Sequence, residues 1–246
     1  MRILIALIAL VLGAVSASAG EAAAFCTAAK KSVDADSRLA AEVVAVFGKA
    51  VFNATGEDCL FPLKALRYAG ADVLIVQAGE PGEGCHGCGA LLSAYVVQRV
   101  NGGLKTVARF REFATLGTHG AVEDISPIEI AGDDALAIES GGTFQGYTST
   151  GLDLYAFHAG RLVSLSPNPI VIAADNSGAV NAPGEAVEVT GTWFFDPADK
   201  AALVVDYKID ARRAPRVERV VWRLQGSSLV LSRGHIPPEV TAASGG

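Results

Sequence analysis

Basic residues are outnumbered in this sequence: 20 lysines and arginines face 26 aspartates and glutamates in 246 residues, a formal charge of −6. Nucleic acids and anionic membrane surfaces select basic patches, so neither is an expected partner. Long hydrophobic runs are missing beyond the first fifteen residues. The apolar half of the composition is spread over short stretches and many alanines, so no integral membrane segment is expected after that point. Catalytic signatures are missing too. No serine sits in a Gly-x-Ser-x-Gly elbow, and the segment from Gly146 to Gly151 misses that spacing. There is no phosphate-binding glycine loop and no His-Glu-x-x-His pair. Asp175-Asn176-Ser177-Gly178 has a single carboxylate and reads as a turn, not a calcium loop. These absences lean away from an enzyme, name no catalytic residue and imply no cofactor.

The N-terminus has a definite pattern. Arg2 precedes an apolar run from Ile3 to Val15, and Ser16-Ala17-Ser18-Ala19 supplies small residues for a cleavage site. Residues 1–19 are therefore expected to be a cleavable secretory signal peptide. The run is shorter than the ~20 residues that span a bilayer, which disfavours a retained anchor. Phe25 before Cys26 disfavours a lipid-modified cysteine. Periplasmic or secreted localisation follows as the expectation for residues 20–246.

Cysteine is scarce: four residues, at 26, 59, 85 and 88. An even number in an oxidising compartment predicts two disulfides. Proximity favours Cys85–Cys88 and leaves Cys26–Cys59. Loop-closure entropy gives ~4 kcal/mol for the longer loop and ~2 kcal/mol for the shorter one. The first reads as a staple of a helical segment to a sheet, whereas the second needs another reason to exist.

Residues 22–52 read as the helical part. Asp36 and Ser37 offer an N-cap, Leu39, Val43, Val44 and Phe47 fall at helical spacing, and Gly48 is a stop. From residue 60 the period changes to two. Short strands are expected at 63–68, 72–78, 91–100, 104–113, 135–139, 143–147, 152–158, 161–165, 186–195, 202–209, 216–224 and 229–233. Asn101-Gly102-Gly103 is a strong hairpin signal, because Asn and Gly accept positive φ. The fold class is mainly β: an antiparallel sandwich, barrel or meander with one N-terminal α-helical segment packed on it. Residues 20–246 are expected to form one domain. A two-lobed split near 166–185, which holds Pro167, Pro169 and Pro183, is the alternative. The tail beyond Pro237-Pro238 is expected to fray. Trp193-Phe194-Phe195 cannot all face one side of a strand.

Cys85-His86-Gly87-Cys88 is the one segment that invites chemistry. Haem attachment needs a His directly after the second Cys, where Gly89 stands. A redox CxxC opens a helix, but the sequence after Cys88 leads into a strand, and Glu80 and Glu83 nearby oppose a thiolate. Metal binding would combine Cys85, His86 and Cys88 with a distant His119, His158 or His235, without the paired spacing of a structural zinc site. The plainer reading is a structural bridge before a strand. The sequence thus predicts a disulfide-stabilised, non-catalytic binding or accessory protein of the cell envelope, with a small ligand or an envelope protein as partner. Thiol-redox or metal chemistry at Cys85, His86 and Cys88 is the alternative.

Overall fold

A computed structural model describes residues 23–56, 59–68, 71–158, 161–182, 185–210 and 215–244. The expected signal peptide, 1–19, lies outside the described residues. The chain is mainly β. An N-terminal unit contains β1 (Ala24–Cys26), α1 (Ala29–Ala35), α2 (Ser37–Phe47), β2 (Val51–Ala54), β3 (Leu60–Tyr68), β4 (Ala71–Ala78), β5 (Ala90–Val100) and β6 (Gly103–Leu116). Its six strands form one sheet in the order β2-β1-β3-β4-β5-β6, antiparallel except where β1 pairs with β2 and β3. There follow β7 (Asp124–Ile130), β8 (Asp133–Phe144), β9 (Tyr147–His158), β10 (Arg161–Ser164), β11 (Ile170–Asp175), β12 (Glu188–Asp196), β13 (Asp199–Asp210), β14 (Arg216–Gln225), β15 (Ser228–Arg233) and α3 (Pro238–Ser244). These nine strands form a second sheet, β15-β14-β13-β12-β11-β9-β8-β7, with β10 also on β9.

The second sheet curls. The Ala131 amide donates to the Lys200 carbonyl (3.0 Å), Lys200 Nζ reaches Glu129 (2.9 Å), and Trp193 Nε1 donates to Glu139 (2.7 Å). These bonds bring the β7–β8 side against β12–β13. The concave face holds Ala135, Ala137, Leu154, Val205, Tyr207 and Trp222. The convex face packs on the first sheet through Leu136, Ile138 and Tyr155 against Val73, Ile75 and Leu92. The result is a sandwich of one sheet on one half-barrel.

Several expectations need correction. The helical part is not one segment but two short helices between two strands. Asp36 is extended (φ −120°), and its carboxylate accepts from the amides of Arg38 and Leu39, so it ends one helix and caps the next. On α2 the buried stripe runs through Leu39, Glu42 and Val43, while Val44 is 59% exposed. Residues 143–147 are not one strand: Thr143 and Phe144 end β8, Tyr147 opens β9, and Gln145 (φ 51°) and Gly146 (φ 85°) make the tight turn between them. The tail is not frayed: α3 buries Val240 and Ala243 and packs on β9, β11 and β12. Strand β7 carries Pro127, which is tolerated because β7 is an edge. The stretch 166–185 contributes β11 between β9 and β12; Pro183 lies outside the described residues. Of the consecutive aromatics, Trp193 and Phe195 pack on the concave core, and Phe194 turns out under the Arg219 guanidinium.

Cys26 and Cys59 are bridged, joining β1 to the start of β3, with Phe52 and Phe61 packed around them. Replacing both by alanine should lower the unfolding free energy by about 4 kcal/mol, against about 2 kcal/mol for the Cys85/Cys88 pair. Urea denaturation of both double variants checks the order, and a larger loss for the second pair would contradict the staple reading.

Glu42 is only 1% exposed, and neither of its carboxylate oxygens has a hydrogen-bond partner among the described residues. Burial first, and the nearby Asp72 carboxylate second, push it from 4.5 to about 7. Asp153 is raised by burial from 3.8 to about 6. Both groups hold a proton in the folded state that the unfolded chain releases earlier. Stability should therefore fall as pH rises, through Asp153 from about 3.8 to 6 and through Glu42 from about 4.5 to 7. Glu42→Gln should remove the decline between pH 6 and 7 and raise Tm at pH 8. Thermal melts across that range check it, and an unchanged slope would acquit Glu42.

Candidate functional site

The site is built where the ends of both sheets meet. Between β4 and β5 the chain makes a loop whose tip is closed twice, by the Cys85–Cys88 disulfide and by the Cys88 amide donating to the Cys85 carbonyl (2.9 Å). The loop is tied to the turn after β6. The Gly84 amide donates to the His119 carbonyl (3.2 Å), and the Gly120 amide donates to the Cys88 carbonyl (2.7 Å). Underneath, the buried Gln77 donates Nε2 to the carbonyls of Gly79 (3.1 Å) and Gly120 (2.8 Å). Gly84 has to be glycine, since a Cβ there would stand 2.8 Å from the Gly120 amide nitrogen.

The third wall is the β8–β9 hairpin. Thr118 Oγ1 donates to the Gly141 carbonyl (3.1 Å), and a Cβ on Gly142 would collide with the Thr118 side chain. At the hairpin tip Gly146 lies on the backbone of Gly178, so close that a Cβ on Gly146 would overlap the Gly178 carbonyl group. The turn from Asp175 to Gly178 is itself fixed by Asp175 accepting from the Ser177 amide (2.7 Å). The tip is thus braced from behind.

These constraints position a ring cluster. His86 meets His119 edge-on, centroids 4.6 Å apart, and lies 5.6 Å from the Phe144 ring. Phe144 is 60% exposed. Beside it opens a cleft of about 460 Å³, whose polar lining includes Thr118, Ser140, Gln145, Tyr147 and Ser149. No lysine, arginine, histidine, aspartate or glutamate lines it. Among the described residues the side chains of Ser140, Gln145, Tyr147 and Ser149 carry no hydrogen bond. The nearest carboxylate, Glu123, accepts from Thr150 Oγ1 (3.2 Å). The arrangement offers unspent hydrogen-bonding groups, an aromatic face and no charge.

The residues singled out from sequence are distributed unevenly around this site. Cys85, His86 and Cys88 are on its rim, and His119 joins them. Both expected bridges, Cys26–Cys59 and Cys85–Cys88, are formed. As the sequence implied, Cys88 leads into a strand, β5. His158 ends β9, and His235 stands 3.4 Å from Glu218 on β14. Among the described residues no three His, Cys, Asp or Glu side chains converge as a metal site. Sequence reasoning missed Phe144, Gln145 and Tyr147. Their signal was Gln145-Gly146, a two-residue turn of the same positive-φ type as Asn101-Gly102.

Gly146→Ala should be strongly destabilising, by more than about 2 kcal/mol, because it combines a positive φ with a backbone collision. Gly132→Ala, at a turn with φ 87° and open space around the new Cβ, should cost less. Equal losses in denaturant melts would mean that the hairpin tip is not braced. No protein-family model matches the chain, and neither a curated protein nor a solved structure is similar to it.

Proposed function

We propose that this chain is an exported, disulfide-stabilised envelope protein that binds a small ligand at the cleft beside Phe144 and performs no chemistry on it. Two disulfides suit an oxidising compartment such as the periplasm or the outside of the cell. No helix among the described residues is long and apolar enough to cross a membrane. One observation carries the reading: four polar side chains with unspent hydrogen bonds face a cleft whose wall is fixed by the Thr118 to Gly141 hydrogen bond and by the glycine contacts at Gly142 and Gly146. A site fixed before its ligand arrives loses little order on binding. A thermal-shift screen of small molecules should find compounds that raise Tm in the wild type and not in Phe144→Ala. Turnover of a compound, abolished by one substitution, would refute the non-catalytic reading.

A second reading has one observation of its own. Cys85 and His86 are exposed, and His86 touches His119, so a thiolate freed by reduction would have two imidazoles close by. Thiol titration in a glutathione buffer at about −240 mV, with metal analysis of the purified protein, separates the two. A bridge that stays closed in protein without bound metal favours ligand binding. An opened bridge with stoichiometric metal favours the alternative.

A further inference from the structure

We infer that the cleft takes a neutral saccharide, with one pyranose face laid on Phe144 and its hydroxyls bonded to Ser140, Gln145, Tyr147 and Ser149; this rests on the binding reading above. The chemistry of the walls selects the class. A charged ligand would leave its charge uncompensated, because no lysine, arginine, histidine, aspartate or glutamate lines the cleft and the nearby Glu123 repels anions. A purely apolar ligand would strand the unspent hydroxyl and amide groups, each at a cost comparable to a lost hydrogen bond. A ligand dense in hydroxyls, with an apolar C–H face, satisfies both surfaces.

The geometry adds a reason for the exposed aromatic. Phe144 precedes the Gln145-Gly146 turn, and that turn is locked on Gly178. The His86 ring lies 5.6 Å from the Phe144 ring, tilted by 43°. Phe144 is thus exposed at the cleft with a ring neighbour and a fixed turn beside it. Gly141, Gly142 and Gly151 line the cleft and let the Ser149 backbone, Thr118 and Pro169 pack closely around it. A volume of about 460 Å³ is within the ~300–1,000 Å³ of small-ligand sites and accommodates one or two sugar rings.

The test is calorimetric titration of the purified protein with maltohexaose, cellohexaose and chitohexaose, with polygalacturonate as the anionic comparison. At least one neutral oligomer should bind with a Kd between about 10 μM and 1 mM. Phe144→Ala should weaken it at least about tenfold while leaving Tm unchanged, and Phe144→Trp should retain it. Absence of binding by all three neutral oligomers, tighter binding of polygalacturonate, or binding indifferent to Phe144→Ala would each overturn the saccharide assignment. If a non-saccharide from the thermal-shift screen then binds in a Phe144-dependent way, only the ligand class fails. If nothing in either experiment depends on Phe144, the binding reading fails as well.

Discussion

Strands β8 and β9 are buried on both faces, and the rest of the molecule is arranged around that constraint. Ala135, Ala137 and Ala156 face the concave core, while Leu136, Ile138 and Tyr155 face the other sheet. Leu152 and Leu154 of β9 join the alanines on the concave side, so large and small side chains interdigitate there. Gly191 on β12 allows the same closeness, since a Cβ there would press on Val205 and on the Ile172 carbonyl. The bond from the Ala131 amide to the Lys200 carbonyl draws the half-barrel together.

The same strands carry the candidate site. Where β8 leaves the sandwich its pattern changes from Ala-Leu-Ala-Ile to Ser140-Gly141-Gly142, and these residues border the cleft together with Gly117, Thr118 and the start of β9. Polar groups mark that border on both sides: Gln77 in the first sheet, and Ser140 and Asp153 in the second. Gln77 donates to the Gly79 carbonyl at the end of β4 and to the Gly120 carbonyl in the turn that holds His119, so the border also anchors the rim.

Much of this was legible in the chain because it is local chemistry. Asn101-Gly102 announces a hairpin, Asp36 announces a helix start, and an even number of cysteines, with two of them three residues apart, announces two bridges. What escaped is decided by distant contacts. Val44 and Glu42 lie on nearly opposite sides of α2, and the strands it packs on, β3, β4, β5 and β6, decide that the acid goes inward. Strand β11 looks like a linker because prolines precede and follow it, yet β9 and β12 on either side supply its hydrogen bonds. α3 is too short to be stable alone and exists because Val240 and Ala243 dock against the half-barrel. The candidate site was half visible: the cysteine loop stood out by composition, whereas Phe144 is a strand residue like its neighbours and is set apart only by the Gln145-Gly146 turn that follows it.

The short disulfide acquires a reason in this setting. A four-residue loop gains only about 2 kcal/mol from cross-linking, about half of what the Cys26–Cys59 bridge supplies. Global stability is therefore a poor explanation for Cys85–Cys88. Its effect is local. Two backbone bonds join this loop to the His119 turn, and both depend on the carbonyl and amide directions at Gly84 and Cys88. A flexible Gly-rich loop would sample many such directions, whereas a bridged one holds few. Closing the loop thus fixes His86 against His119 and Phe144, the cluster at the mouth of the cleft. The bridge contributes little to whether the protein folds and much to how sharply one edge of it is defined, as a preorganised recognition surface requires.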